Sequence, residues 1–302
     1  MVVLLYIINS GFIYFFYYIV IIPLNHLQMT KIQIVSDTHL EFRGDDFKKL
    51  IKPSAPILFL LGDVSACGSP EPWETYKKFI EYLATRFQYI FHVPGNHEYY
   101  TLNKNITLED TIPGIDNKIR KFAKTIPNLF FLNNNTVRLK IGKKDYVFIG
   151  TCGWTGVEPK HRKHVQSLMN DYSSIYMPNE KTESNKLNCP SVRKYNINDM
   201  SKLHAKAVRY VAGVLKKVKP HETAVLLTHH KCVRDEPLTN LLSQAYETDL
   251  AGIIIKKPLK FYAFGHTHVK YDKIVNGVRC FSNPKGYPSQ QTHFDPSCVV
   301  TV

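Results

Sequence analysis

Paired cysteines are missing from this sequence. Its six cysteines, Cys67, Cys152, Cys189, Cys232, Cys280 and Cys298, lie far apart and form no C-x-x-C. That excludes a thiolate zinc site and a small disulfide scaffold, and it reads as a reducing compartment. Acidic residues are in deficit, with 25 Asp and Glu against 39 Lys and Arg, a net charge of +14. The excess favours anionic partners such as phosphate esters, nucleic acid or an acidic membrane face, and sets the partner's sign but not its identity. No internal repeat is present. With 44% apolar and 21% charged residues in a chain of 302, extensive disorder is also excluded. The length suits one sizeable domain or two small ones.

Basic residues are absent from the first stretch, MVVLLYIINSGFIYFFYYIVIIPL, which is almost wholly apolar and broken only by Asn9, Ser10 and Gly11. Without a basic start it lacks the pattern of a secretory signal. Two readings follow for residues 1–28. Residues 2–24 are long enough for a membrane anchor; with Lys31, Arg43, Lys48 and Lys49 behind them, the positive-inside rule then places the main domain in the cytoplasm. Alternatively, Met29 of MTKIQIVSD is the functional start, and the domain is residues 29–302.

From Lys31 onward, short apolar runs alternate with longer amphipathic ones, the pattern of a mixed α/β domain. KIQIV, APILFLL, YIFHV, TAVLLT and FYAFG read as strands. WETYKKFIEYLATRF and DMSKLHAKAVRYVAGVLKKV read as helices, with Asp199 as N-cap of the second. Residues 128–149 read as a strand meander, and 269–282 as a hairpin around Asn276 and Gly277. Residues 151–198 are polar, carry Pro159, Pro178 and Pro190, and show no sustained period. A connection of that length between well-defined elements reads as a lid or binding loop.

Polar residues cluster just past the strands. KIQIV is followed by Asp37 and His39, PILFLL by Asp63, YIFHV by Asn96, His97 and Glu98, AVLLT by His229 and His230, and FYAF by His266 and His268. Any one of these is an unremarkable turn residue. Turn chemistry, however, gives no reason for histidine to recur after strands, whereas the carboxyl edge of an α/β sheet is where loops converge into binding sites. His92 lies within a strand and reads as a core histidine. On an extended segment, His266 and His268 fall on the same side, and Gly265 permits close backbone approach.

The ordered blocks SDTH, GD at 62–63, GNHE at 95–98, THH at 228–230 and GHTH at 265–268 resemble the calcineurin-like metallophosphoesterase superfamily, from about residue 30 to the carboxyl terminus. The resemblance implies a four-layer α/β/β/α sandwich of two mixed sheets. It also implies two divalent ions, one held by Asp37, His39 and His268, the other by Asn96, His229 and His266, with Asp63 bridging. His97 would stand beside the substrate as the catalytic acid, with Glu98 and His230 orienting ligands from behind. Imidazole with carboxylate suits Mn, Fe or Zn better than Mg or Ca. Two such ions about 3.5–4 Å apart acidify a shared water and hold phosphoryl oxygens for in-line displacement. The expected activity is hydrolysis of phosphomonoesters or phosphodiesters by metal-bound hydroxide, and the expected partner is a phosphorylated small molecule or nucleotide.

One departure narrows this. Phosphoprotein phosphatases of the superfamily read G-D-x-x-D-R-G, but here the block is GDVSACG, so protein dephosphorylation is disfavoured. Within 151–198, Lys160 to His164, Arg193 and Lys194 are candidates for phosphate contacts, and Trp154, Tyr172 and Tyr176 for base stacking. Taken singly each reads as an ordinary lid residue, while the segment as a whole reads as a cap. Two other activities fit the pattern: a nuclease holding DNA or RNA through the basic surface, and a non-catalytic metal-binding scaffold.

Overall fold

The computed structural model describes residues 8–9, 12–13, 30–44, 46–179, 192–234 and 242–302. The chain divides into two compact units, Met1–Thr30 and Lys31–Val302. In the first, the described elements are an antiparallel pair of two-residue strands, Ile8–Asn9 and Phe12–Ile13. The rest of residues 1–28 lies outside the described residues. Paired extended segments cannot lie within a continuous helix, and among the described residues no helix is long and apolar enough to cross a membrane. The expected anchor through residues 2–24, and the cytoplasmic placement that followed from it, are therefore withdrawn.

The second unit is built on two mixed sheets. The first has five strands: β1 (Lys31–Val35), β2 (Ile57–Leu61), β3 (Tyr89–Val93) and β4 (Leu129–Phe131) run parallel, and β11 (Val299–Thr301) pairs antiparallel with β1 at the edge. The second has six, in the order β9 (Tyr271–Val275), β10 (Val278–Ser282), β8 (Leu259–Ala263), β7 (Glu222–Thr228), β6 (Lys144–Thr151), β5 (Asn135–Ile141). There β6, β7, β8 and β10 are parallel, and the hairpins β5–β6 and β9–β10 close the two edges.

Side-chain alternation assigns the layers. Ile57, Phe59 and Leu61 of β2 join Ile32, Ile34, Val225 and Leu227 in the core between the sheets. Their neighbours Leu58 and Leu60 face the other way, onto α1 (Pro70–Ala84) and α2 (Ile112–Ala123). On the far side, Ala224 and Leu226 of β7 pack against Val211 and Leu215 of α5 (Ile197–Leu215). Strands buried on both faces read as continuous apolar runs, which is why ILFLL carries no polar residue. The result is helix, sheet, sheet, helix.

Three local expectations change. The run 128–149 is not one meander: β4 belongs to the first sheet and the β5–β6 hairpin to the second, and Asn134 in the left-handed region (φ 53°) turns the chain between them. Asp199 is not the N-cap of α5. Asn196 holds that position, and Asp199, three residues on, returns a bond to the Asn196 N–H at 3.0 Å to complete a capping box. The strand read as FYAFG begins earlier and ends at Ala263, leaving Phe264 and Gly265 to the loop. The 269–282 hairpin turns at Asn276 (φ 51°) and Gly277 (φ 76°), left-handed residues that suit a two-residue connection.

Candidate metal centre

Because β1, β2, β3, β7 and β8 are parallel within their sheets, their carboxyl ends bring Asp37, His39, Asp63, Asn96, His97, His229, His266 and His268 to one edge. The turns there are strained. Asp37 (φ 57°), His39 (45°), Asp63 (51°), His266 (66°) and His268 (53°) all occupy the left-handed region. Such residues each cost on the order of 1–3 kcal/mol and persist where the surroundings over-determine them. Here backbone bonds supply that constraint: Asp37 N–H to Gly62 O at 2.9 Å, His39 N–H to Asp63 O at 3.0 Å and Gly265 N–H to His229 O at 2.9 Å. Glu98 adds a buried carboxylate that accepts the N–H groups of Asp63 (2.9 Å), Val64 (2.6 Å) and Gly95. The close approach leaves no room for side chains: a Cβ on Gly95 would lie 2.1 Å from Asp63 Oδ1, and one on Gly265 would lie 2.8 Å from Asp37 Oδ2.

The side chains gather in two adjoining clusters. In one, His39 Nε2 lies 3.2 Å from His268 Nε2, which is 3.3 Å from Asp37 Oδ1. In the other, His229 Nε2 lies 3.0 Å from His266 Nδ1 and 3.2 Å from Asn96 Oδ1. Asp63 Oδ2 stands between them, 3.2 Å from His229 Nε2 and 3.8 Å from His39 Nε2. His266 and His268 thus enter different clusters. The extended geometry expected for them does not occur, because both take positive φ.

The bonds on the far ring nitrogens set the tautomers. His229 Nδ1–H donates to Leu61 O at 2.8 Å and His39 Nδ1–H to Glu41 Oε1 at 3.1 Å. His268 Nδ1–H donates to Gln290 Oε1 at 2.6 Å, and the same atom accepts from Tyr287 N–H, which identifies it as oxygen. In their neutral form all three rings therefore turn an Nε2 lone pair inward, as metal-binding histidines do. Lone pairs facing each other at 3.2 Å, with carboxylates alongside, repel unless a cation sits among them. The donor set fits divalent ions of the transition type.

Electrostatics follow the same plan. Burial would raise the Asp63 carboxyl, but the charges of His229, His97 and His39 hold it well below the usual range. Burial opposes charge on His229, yet Asp63 raises it to about 9. Burial, with His230 and His229 adding to it, holds His266 far below its ordinary value, and His230 falls to about 3. His230 packs against His266 with the rings tilted and 4.1 Å between their centres, and its Nδ1–H donates to Cys152 O at 3.2 Å. His92 is fully buried with Nδ1 bonded to Leu60 O at 3.1 Å.

His97 lies at the rim. Its N–H donates to Asp63 Oδ1 at 2.9 Å, its Nδ1–H to Glu41 Oε1 at 2.8 Å, and the Tyr287 hydroxyl is 3.1 Å from Nε2. Despite burial, Asp63 and Glu41 raise it to about 9. Four residues here escape a motif reading. Glu41 serves His39 and His97 together, Gln290 orients His268, Tyr287 covers His97, and Asp171 accepts the Asn96 amide at 2.8 Å and the Tyr100 hydroxyl at 2.6 Å. Glu41 had a faint signal, standing two residues past His39; the other three come from segments distant in the chain.

A cleft of about 310 Å³ opens over the cluster, walled by His97, Tyr100, Leu168, Met169, Tyr246 and Tyr287 among others. Leu168 ends α3 (Arg162–Leu168), and Asp171 begins α4 (Asp171–Ser174), so the segment after β6 supplies one wall. The aromatic and basic candidates of that segment face elsewhere. Trp154 is buried against Tyr99, Tyr195 and His230, and Tyr172 stacks on Tyr195. Lys160 pairs with Glu158 and Arg193 with Asp199, while Lys194 sits over the Tyr176 ring. Residues 180–191, including Cys189 and Pro190, lie outside the described residues. In the departing block, Val64 and Cys67 belong to the helix-side core, and Ser65 Oγ donates to Pro72 O.

The pattern of the calcineurin-like phosphoesterases matches residues 30–270. An uncharacterized protein of Acanthamoeba polyphaga mimivirus, L509, is 29% identical over 298 residues, 91% of this chain and 97% of that one. Among solved structures, the phosphopantetheinyl hydrolase PptH from Mycobacterium tuberculosis shares the fold, with a TM-score of 0.63 at 15% identity over 91% of this chain and 96% of that one. A match over most of the chain, on top of converging imidazole and carboxylate donors, settles the family: this chain belongs to the calcineurin-like phosphoesterases and is a metal-dependent phosphoester hydrolase.

Proposed function

We propose that the centre holds two divalent ions and hydrolyses a small phosphomonoester or phosphodiester. The observation that carries the reading is the position of Asp63 Oδ2 between two histidine clusters. On this reading Asp37, His39 and His268 hold one ion, Asn96, His229 and His266 the other, and Asp63 serves both. Bound there, the pair supplies positive charge for the phosphoryl oxygens and a nucleophile drawn from water at neutral pH.

The chain's own groups do the rest. Glu41 holds the His97 ring by Nδ1, so Nε2 is the atom that delivers a proton to the departing oxygen. Asp171 takes the amide hydrogen of Asn96, so that Oδ1 and not Nδ2 turns toward His229. The described part of residues 151–198 acts as a cap whose Leu168 and Met169 wall one side of the cleft. Val64, Ser65, Ala66 and Cys67 offer no charged group to a phosphoprotein.

The test is metal analysis combined with turnover of p-nitrophenyl phosphate and its bis ester on the same purified sample. We expect two ions per chain and hydrolysis of at least one ester. Two bound ions with neither ester hydrolysed would overturn the reading.

A further inference from the structure

The walls of the catalytic cleft include no lysine or arginine among the described residues. Beside it lies a second groove, of about 500 Å³, whose lining includes Phe42, Arg43, Asp46, Lys49, Lys285 and Phe294. One loop separates the two. It turns Tyr287 and Gln290 toward the histidines and Lys285 and Phe294 toward the groove. Phe42 reaches across the divide: it is 57% exposed, its ring lies 6.4 Å from His97 and 5.6 Å from Tyr287, and it also lines the groove.

The cations of the groove are placed, not scattered. Arg43 donates from Nε to Thr38 O at 2.9 Å and from Nη2 to Gly286 O at 2.6 Å, pinning the dividing loop to the turn that carries His39. Lys285 is anchored through its N–H to Ser36 O at 2.9 Å, and its ammonium sits 5.5 Å from the Phe294 ring centre, with no carboxylate paired to it among the described residues. Asp46, the acidic group in the lining, is engaged by Lys49 at 3.6 Å. Burial, and then the neighbouring charge of Arg43, both hold Lys285 below its ordinary pKa. Lys285 feels the like charge of Arg43, whose own charged neighbour is Glu41, and an anion placed beside Lys285 relieves that repulsion.

We propose that this groove binds a second phosphate of a substrate whose planar base packs on Phe42, so that the fitting class of ligand is a nucleoside bisphosphate, with both phosphates on its sugar and the scissile ester in the cleft. The inference rests on the phosphoesterase reading of the cleft. The ring contact uses the π-face of the base and so places no demand on base identity.

Calorimetric titration of the full chain in EDTA, where no ester is turned over, tests the groove by itself. Adenosine 3′,5′-bisphosphate should bind about tenfold or more tightly than AMP, an advantage that falls with added salt. Lys285→Glu should abolish that advantage and Lys285→Arg should keep it. No advantage in the native protein, or an advantage that survives Lys285→Glu, overturns the proposal. Phe42→Ala should weaken both nucleotides relative to fructose 1,6-bisphosphate, which carries no aromatic base, and equal weakening of all three removes the ring contact. Hydrolysis assays separate the two claims. A bisphosphate advantage without turnover of any ester sinks the phosphoesterase reading, whereas turnover without the advantage sinks the groove.

Discussion

The cluster around His229 and the cluster around His39 contain similar donors but are braced by different parts of the chain. His229, His266, Asn96 and Asp63 are buried, and their supports, Leu61 O and Asp171, are buried as well. His39 and His268 are held by Glu41 and by Gln290, and His268 is 13% exposed. The first cluster is locked by sheet backbone and by the segment after β6, the second by side chains on surface loops. Both halves line the cleft, the first through Asp63, Asn96 and His266 and the second through His268; in the second, Asp37 and His39 are fully buried, and His268 is the ligand that reaches solvent. Precision comes from the strands, and access from the loops.

Asp63, common to both clusters, is where a substitution does most damage. Asp63→Asn keeps the shape but removes the charge common to both clusters, and elemental analysis should find neither ion retained, with turnover at background. His97→Ala should spare both clusters: metal content stays at the native level while kcat falls by about 10²–10⁴, the usual contribution of a positioned acid. Retained turnover would show that the rim histidine is not the proton donor. Asp171→Asn tests the buried brace. Metal affinity or activity should fall by about 10–100-fold, as for other groups that orient a ligand, and Gln290→Ala, the exposed brace, should sit at or below the low end of that range. If the Gln290 variant is the more damaged of the two, the buried and exposed braces have been ranked the wrong way round. The smallest effect concerns rate: during timed dialysis against a chelator, one equivalent of metal should leave before the other, and Gln290→Ala should hasten the first departure more than the second.

Gly95→Ala places a Cβ 2.1 Å from Asp63 Oδ1, and overpacking of this kind destabilises by about 1–3 kcal/mol. A melting temperature equal to that of the native chain would show that the turns are less closely packed than described.

Much of this was legible beforehand because the donors sit next to signals that are local. Asp37, Asp63, Asn96, His229 and His266 each follow a short apolar run within a few residues, so a strand-length run ending in a ligand type marks them. Asp171, Tyr287 and Gln290 carry no such mark. Asp171 lies 75 residues from Asn96 in the chain, and nothing in the intervening sequence encodes that meeting. Asp199 misled for a related reason: acidic residues suit both the cap position and the third residue of a capping box, and the choice depends on which backbone N–H groups are left unpaired. The apolar opening misled differently, since hydropathy measures composition and a two-strand pair can occur in a sequence apolar enough for a span.

By itself the sequence determined the order of elements, the apolar faces and the kinds of ligand atoms available, because these depend on neighbours a few bonds away. The tertiary structure decided which cluster each histidine joins, which nitrogen turns inward, and which distant side chains steady it. Those outcomes are set by left-handed turns and by bonds between segments far apart in the chain. Their energies exist only once both sheets have brought their carboxyl ends to the same edge.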